Sequence, residues 1–358
     1  MKTKLVYVLT CAPQATYIEQ ALMSVWSARH WNADAHIVLI TDNLTDNLLI
    51  GKRGEILNYI SEKIVVPFED DSLSMMYRSR FIKTSVRHLI DGDFLFIDCD
   101  TIVCKSLAEV DSFECEVGAV GDSNVRFEDD ASRIETCEIV AELSVDISKE
   151  EYYFSSGVLY VKDTPLMHSF YQGWHENWLQ GNTRGVKIDQ PSLAKTNIEF
   201  NHVMIPIDNK YNCILFTQTT ELVNASIMHI AAYRNPCFLF SPLVYSQLRQ
   251  KGIQLWVKEL IANVHSTYLP FDFWIKHSTI GQRRRWKLQI ARSLRLYGQN
   301  VDKSFAQIDF KIRANEAIRR MLQHSFYLFA LCFWMLWKRL HLINKESSLK
   351  DNVCKKYD

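Results

Sequence analysis

The chain is poor in residues that interrupt regular structure, with only 12 glycines and 8 prolines among 358 residues. It contains 47% hydrophobic and 23% charged residues, an ordinary balance for a folded soluble protein, which argues against disorder over most of its length. No internal repeat or low-complexity segment stands out. The length suits a large domain with an extension, or two domains.

The cysteines do not form the pattern of a disulfide framework. There are 9 of them, an odd number at irregular spacings with no C-x-x-C pair. The N-terminal stretch MKTKLVYVLTCAPQ has too short an apolar core for a signal peptide and is interpreted as a first strand. We therefore expect a cytoplasmic location, where thiols stay reduced.

The net charge of zero hides an asymmetry along the chain. Residues 1–280 contain 24 lysines and arginines against 35 aspartates and glutamates, a net charge of −11. Residues 281–340 contain 13 basic and 3 acidic residues, a net charge of +10. The two regions are expected to meet different surroundings.

Short apolar runs alternate with helical patterns in the first hundred residues. The predicted strands are Leu5–Thr10, Ala35–Thr41, Lys63–Val66 and Asp93–Ile97. The predicted helices are Tyr17–Arg29, Gly54–Ser61 and Ser74–Leu89. This alternation predicts an α/β protein with a mainly parallel sheet covered on both faces.

Later segments continue the pattern. We predict strands from Val117 to Asp122, after the turn at Phe154–Gly157, and up to His229, with a Trp-rich helix over Met167–Leu179. From about Ser241 onwards helical periodicity dominates. We therefore predict an α/β domain over residues 1–245 and a helical extension over 246–358.

The stretch DFLFIDCDTIV places Asp98 and Asp100 directly after a buried strand. In an extended chain these two side chains share a face, while Cys99 points the other way. Ligands of parallel sheets bind at the carboxyl ends of strands, and paired carboxylates suit a divalent cation. The alternative is a strand that simply ends in polar turn residues.

Several motifs occur in an order that resembles the retaining glycosyltransferases of the glycogenin and lipooligosaccharide-galactosyltransferase type (glycosyltransferase family 8). These motifs are YRSRFIK, FLFIDCD, GAVGD, FSSGVLYV, IDQPSL, DNKYN and IMHIAAYRNP. The resemblance covers residues 5–236 and implies the GT-A fold, which is Rossmann-like. It also implies hexosyl transfer from a nucleotide sugar, with a UDP-sugar as the expected donor.

The resemblance assigns Asp98, Asp100 and His229 to a manganese or magnesium site that bridges the donor diphosphate. A nitrogen ligand beside two carboxylates favours manganese, although a histidine at a strand end can also be simply hydrogen-bonded. Arg234 falls where the family has a phosphate-binding cation, and the guanidinium fork suits that contact.

Asp189 and Gln190 match the family's Asp-Gln pair near the anomeric carbon, and neither is a strong nucleophile. This agrees with a retaining front-side displacement in which the leaving diphosphate receives the acceptor proton. The alternative is a helix start, with Asp189 at the N-cap and Pro191 at an early position.

Two positions are assigned to the donor sugar and its phosphates by the same resemblance. Arg80 matches a family arginine, with Arg78 and Lys83 as rivals that could instead be exposed helix charges. Asp122 matches an aspartate that binds sugar hydroxyls, and it could equally be a turn residue.

The sequence departs from the family pattern in two places. The family's F-N-S-G is here Phe154–Gly157 (FSSG), so Ser155 stands where a sugar-binding asparagine is usual, followed by Ser156. The first strand ends with Thr10 and Cys11, where the family has an aspartate that recognises uracil. The donor sugar and the base are therefore left open.

The C-terminal region is basic and aromatic. Residues 282–297 carry six basic residues and no acidic ones, with Trp286, Ile290 and Leu294 on one helical face. Residues 321–337 are seventeen uncharged residues flanked by arginines and a lysine, a bare minimum for spanning a bilayer. An interfacial helix on an anionic membrane fits better; a packing or dimer-forming helix is the alternative.

We therefore expect a glycan or lipid-linked glycan acceptor and a location peripheral to the inner face of a membrane, with no nucleic-acid partner. Whether the chain forms an oligomer is left open. A nucleotidyltransferase is the competing enzyme, but the stretch CAPQATY lacks its Gly-rich basic loop. A third hypothesis is a non-catalytic, membrane-associated protein that binds nucleotide sugars.

Overall fold

A computed structural model describes residues 1–214, 224–230, 239–240 and 242–264. These residues fall within one compact unit, Met1–Thr267. Arg234 and the basic, aromatic segments after residue 281 lie outside the described residues. The domain boundary after residue 245 stays a prediction.

The main sheet contains seven strands among the described residues, in the order β3-β2-β1-β4-β7-β6-β8. They are β1 (Lys4–Leu9), β2 (Ile37–Asp42), β3 (Glu62–Val66), β4 (Phe94–Ile97), β6 (Val117–Ala119), β7 (Val158–Val161) and β8 (Met204–Pro206). Only β7 runs antiparallel to its neighbours β4 and β6; the other pairings are parallel. The predicted mainly parallel α/β architecture is confirmed.

A second sheet of three strands pairs β5 (Thr101–Val103) with β10 (Ile227–His229), and β10 with β9 (Cys213–Ile214). β10 is antiparallel to β5 and parallel to β9. The hydroxyl of Thr101 lies 2.8 Å from that of Ser24. His229 is the last residue of β10, so the second sheet places it near the carboxyl end of β4 in the main sheet.

The helices of the described chain are α1 (Tyr17–Trp31), α2 (Asn43–Asp46), α3 (Met75–Thr84), α4 (Arg133–Ala141), α5 (Pro165–Thr183), α6 (Gln190–Glu199), α7 (Pro242–Lys251) and α8 (Leu255–Ala262). They cover both faces of the main sheet. On β1, Val6 and Val8 join a core that includes Trp174 of α5, while the hydroxyl of Ser24 on α1 donates to Tyr7 from the other side. Alternate side chains of the strand therefore enter different layers.

Several element boundaries differ from the predictions, among them the following three. The helix predicted to Leu89 ends at Thr84 and continues as a short 3₁₀ turn at Val86–His88. The predicted helix at Gly54–Ser61 is a 3₁₀ helix, Arg53–Asn58. The strand predicted to end at Asp122 ends at Ala119, because Asp122 opens a 3₁₀ turn in which Ser123 has positive φ.

The last two described helices pack on α1. Tyr245 of α7 accepts a hydrogen bond from Gln20. Buried Glu19 forms ion pairs with Arg53 and with Arg249 of α7 at 2.8 and 2.9 Å. Among the helices that the structure describes, none combines the length and apolar character needed to cross a membrane.

Candidate active site

Asp98 and Asp100 lie in the turn that joins the two sheets. β4 ends at Ile97, so the aspartates converge through this turn and not along an extended strand as predicted. The backbone N–H of Asp98 donates to Gly157 beside β7, and the carbonyl of Asp100 accepts from Ile230 after β10. Cys99 is buried between them and its thiol donates to Val8, as expected. Both neighbouring strands thus fix the acid pair.

His229 lies opposite this acid pair. One ligand atom from each of Asp98, Asp100 and His229 lies within 4.8 Å of the others, and the imidazole Nε2 is 3.3 Å from Asp100 Oδ1. Burial alone would lower the pKa of His229, but the two carboxylates raise it above its usual value. The three side chains that the sequence assigned to one site are brought together.

The arrangement has the chemistry of a divalent-cation site. Two carboxylate oxygens and one imidazole nitrogen form a donor set that suits manganese and also accepts magnesium. Burial and the neighbouring Asp100 raise the pKa of Asp98, although Lys83 opposes the rise. A bound cation would favour the charged form of Asp98 and so offset the cost of its burial.

Lys83 connects the acid pair to a second acidic residue. Its ammonium is 3.2 Å from Asp98 Oδ1 and 3.2 Å from Asp189 Oδ2, and it lies over the ring of Phe96. The side chain is 3% exposed, so Lys83 is not the solvated helix charge that the sequence left open. It balances two carboxylates from inside the protein.

Asp189 is the buried anion of this second group. Burial would raise its pKa, but Lys83 and Arg80 outweigh burial and hold the pKa far below the usual value. Arg80 Nε lies 2.8 Å from Asp189 Oδ1. Asp189 is therefore ionised in the folded protein near neutral pH.

The helix-start interpretation of Asp189 describes its backbone but not its carboxylate. Residue 189 is the N-cap of α6 and Pro191 lies in the first turn, yet the side chain makes no capping hydrogen bond. Its backbone carbonyl instead accepts from the indole of Trp174 and the hydroxyl of Ser192. The carboxylate therefore does not cap the helix and instead contacts Lys83 and Arg80.

Gln190 follows as the first residue of α6. Its side-chain Nε2 is buried and has no hydrogen-bond partner among the described residues. Because a buried amide nitrogen without a partner is costly, this atom is suited to donate to a bound group. The roles assigned to Asp189 and Gln190 stay predictions.

Arg78, the rival of Arg80, has a structural partner. Its guanidinium is buried and forms an ion pair with Asp42, which also caps α2 through the backbone N–H of Thr45. Arg78 donates a further hydrogen bond to the carbonyl of Leu73. Of the two arginines, Arg80 is the one that reaches the acidic cluster.

The remaining predicted donor contacts are placed as follows. Ser156 is buried and its hydroxyl lies 3.3 Å from Lys83 Nζ. Ser155 is also buried, and its hydroxyl accepts from Asn212 Nδ2 at 3.1 Å. Asp122 is half-buried and its backbone N–H donates to Tyr153. Their contacts with a donor stay predictions, and so does the role of Arg234.

Thr10 and Cys11 lie at the end of β1, where a base-recognising aspartate was expected and is absent. The Thr10 hydroxyl donates to the carbonyl of Met75, and the Cys11 N–H donates to Thr45 Oγ1. Both side chains are buried, and burial raises the pKa of the Cys11 thiol. Their contact with a base stays a prediction.

Two residues of this site were not singled out from the sequence. Gly157 packs against the imidazole: a Cβ built there would lie 2.4 Å from His229 Cε1 and 3.2 Å from Asp98 Oδ2. Asn212 Oδ1 lies 2.9 Å from His229 Nδ1. Both belong to quoted motifs, FSSGVLYV and DNKYN, and that membership was the available signal.

Residues 75–231 match the family model described as Glycosyl transferase family 8. The class of protein is therefore a glycosyltransferase. More narrowly, the chain carries a family 8 domain, and the matched segment holds the acid pair, Asp189, Gln190 and His229. The resemblance seen in the sequence is confirmed.

Solved structures similar to this chain include three glycosyltransferases, each 14% identical. Mouse xyloside xylosyltransferase 1 has a TM-score of 0.43, covering 64% of this chain and 98% of its own. The galactosyltransferase LgtC, in complex with donor and acceptor sugar analogues, has a TM-score of 0.46, covering 72% and 99%. GlyE of Streptococcus pneumoniae TIGR4 has a TM-score of 0.43, covering 74% and 64%. Among curated proteins, no sequence matches this chain.

Proposed function

We propose that this glycosyltransferase is a metal-dependent, retaining hexosyltransferase that uses a nucleotide sugar, with UDP as the expected nucleotide. The observation that carries the proposal is the convergence of Asp98, Asp100 and His229 within 4.8 Å. A cluster of this composition at the carboxyl end of β4 suits a cation that accompanies a diphosphate.

Asp98, Asp100 and His229 would hold manganese, or alternatively magnesium. When bound, the cation supplies Lewis-acid stabilisation of the charge that develops on the leaving diphosphate. Lys83 keeps Asp98 in place from the interior through its 3.2 Å contact. The Asp98 carboxylate is thereby partly organised before a metal ion binds.

Asp189 and Gln190 would face the donor sugar. Lys83 and Arg80 keep the Asp189 carboxylate ionised and fixed, so that it can accept hydrogen bonds from sugar hydroxyls. The unpartnered Nε2 of Gln190 can donate to the reacting side of the sugar. Among the residues that the structure describes, this group contains no stronger nucleophile, which supports front-side displacement with the diphosphate receiving the acceptor proton.

The proposed acceptor is a glycan or a lipid-linked glycan, and the proposed location is cytoplasmic, at the inner face of a membrane. Support comes from the sequence of residues 281–340, whose net charge of +10 favours an anionic surface. This part of the proposal lies outside the described residues. It is independent of the metal site.

The test of the donor and metal is a thermal-shift measurement with UDP. UDP should raise the melting temperature with manganese or magnesium and leave it unchanged in chelator, because binding to the native state stabilises it. An equal shift in chelator would contradict the metal assignment. A panel of nucleotide sugars with manganese then identifies the donor.

A substitution of Gln190 distinguishes an enzyme from a binding protein of the same fold. Gln190→Ala should keep UDP and manganese affinity and lose transfer of the sugar, because its Nε2 is proposed to act on the sugar and not on the phosphates. Unchanged turnover of Gln190→Ala would remove this residue from the catalytic group.

A further inference from the structure

The imidazole of His229 has a hydrogen-bond partner on the side away from the acid pair. Its Nδ1 lies 2.9 Å from Asn212 Oδ1, whereas its Nε2 is 3.3 Å from Asp100. An amide oxygen can only accept, so the imidazole Nδ1 donates in this contact. In the neutral ring, the lone pair is then on Nε2, the atom that faces Asp100.

The Asn212 amide makes a second contact through its nitrogen. Its Nδ2 donates to the hydroxyl of Ser155 at 3.1 Å, and the same hydroxyl lies 3.3 Å from the donating backbone N–H of Gly157. The Ser155 oxygen thus accepts from both Asn212 and Gly157. In this arrangement Asn212 presents its oxygen, and not its nitrogen, to His229.

The backbone of Asn212 is held equally firmly. Asn212 is fully buried and ends a 3₁₀ helix, Asn209–Asn212, directly before β9. Asn124 donates from Nδ2 to the Asn212 carbonyl at 2.8 Å and accepts from the backbone N–H of Ile214 at 2.6 Å. Neither the amide nor its backbone can turn without breaking buried hydrogen bonds.

We propose that Asn212 is a positioning residue that sets the tautomer and the angle of His229, so that Nε2 is presented to the cation. Ser155 orients Asn212 in turn. This assigns to Ser155, which stands where the family has a sugar-binding asparagine, a place behind the metal ligand. The inference rests on the metal site of the proposed function.

The test is the affinity for manganese, measured by electron paramagnetic resonance at one fixed pH with saturating UDP. Asn212→Leu removes the acceptor at similar size and should weaken manganese binding about 10- to 100-fold, as expected for the loss of a partner behind a metal-bound imidazole. Asn212→Asp keeps an acceptor for Nδ1 and should retain affinity within about threefold of wild type.

The matched control is Asn177→Leu. Asn177 is also a buried asparagine whose Nδ2 donates to Thr196 and Glu199, but it lies between α5 and α6. Its substitution should cost stability and leave the manganese affinity unchanged. Equal weakening by Asn177→Leu and Asn212→Leu would mean a general loss of packing and would overturn the inference.

A spectroscopic measurement keeps the inference testable if Asn212→Leu does not fold. In the magnesium-loaded wild-type protein, the Nδ1 proton of His229 should give a slowly exchanging resonance, because it is buried in a hydrogen bond. In Asn212→Ala or Asn212→Leu the same proton should exchange rapidly. Rapid exchange in the wild type, or wild-type manganese affinity in a folded Asn212→Leu protein, would overturn the inference.

These outcomes are distinct from failure of the proposed function. If wild-type protein binds no manganese with UDP, the metal site itself is wrong. If the wild type binds manganese and Asn212→Leu binds it equally well, only the role of Asn212 is wrong.

Discussion

The two acidic groups of the site differ in how their charge is balanced. After the end of β4, Asp98 and Asp100 lie close to His229, and Lys83 contacts Asp98. The pKa of Asp98 is raised. At the start of α6, Asp189 lies against both Lys83 and Arg80, and its pKa is lowered. Asp98 and Asp189 both lie close to Lys83, yet their pKa values are shifted in opposite directions.

The two carboxylates differ in what dominates their pKa. Asp189 has two counter-charges from the protein, so it can stay ionised without any cofactor. For Asp98 burial dominates, and a bound divalent cation would favour its charged form. The carboxylate proposed to bind the sugar is thus paired with cationic side chains, whereas the acid pair is proposed to bind a metal ion.

The largest expected effect is on the rate after Asp98→Asn. Loss of one proposed metal ligand should lower kcat about a thousandfold, or about 4 kcal/mol of barrier. Stability in chelator should not fall, because burial and Asp100 disfavour the charged form of Asp98. Sugar transfer assays and urea unfolding measure the two quantities.

Asp34→Asn, an exposed substitution far along the chain from the acid pair, is the matched control and should change neither quantity. If Asp98→Asn turns over at the wild-type rate in manganese, the carboxylate is not a metal ligand.

The next effect is on stability after Asp189→Asn. This change leaves Arg80 and Lys83 short of a buried counter-ion, so the free energy of unfolding in chelator should fall by about 3 kcal/mol. Here the comparison is sharpened by its sign, since Asp98→Asn should not destabilise the protein. Equal destabilisation by both substitutions would break the distinction between the two groups.

The same variant should alter the pH dependence of stability. Because the folded-state pKa of Asp189 lies below the unfolded value of about 3.9, its contribution is present above that value and is lost as pH falls towards the folded pKa. Wild-type protein should therefore lose stability more steeply than Asp189→Asn below about pH 4. Urea unfolding across acidic pH, with parallel curves as the contrary result, measures this difference.

The smallest effect is expected from Gly157→Ala. The added Cβ would lie 2.4 Å from His229 Cε1, so the imidazole must shift and manganese affinity should fall about tenfold, or about 1.4 kcal/mol. Gly173→Ala on α5 is the control and should leave the affinity unchanged. Isothermal titration with manganese and UDP measures both, and an unshifted affinity in Gly157→Ala would show that His229 has room to adjust.

The sequence predicts the parallel part of the fold well because apolar runs and helical spacing carry it. β1, β2 and β4 are mostly apolar runs and were predicted to within one or two residues of their ends. α4 was missed because it is short and has a single buried residue, Val140. β5 was not recognised either, since its three residues gain their identity only by pairing with β10.

The candidate site was predictable in its acids and less so in their partners. Asp98, Asp100 and His229 stand at strand ends, a position with a clear physical meaning. Lys83 looked like one of several helix charges, and only the structure shows it buried between Asp98 and Asp189. Asn212 contacts His229 across 17 positions of sequence, and no local pattern encodes such a contact.

The three side chains proposed to grip the cation come from two different sheets. Asp98 follows β4 of the large sheet. Asp100 precedes β5 and His229 ends β10, and these two strands pair in the small sheet. An ion bound there would cross-link the two sheets, so that local unfolding of the small sheet would require the ion to dissociate. Amide exchange along β10 would then be slowed by the cation far more than exchange along β2, and ligand occupancy could be read from the backbone without any sugar being transferred.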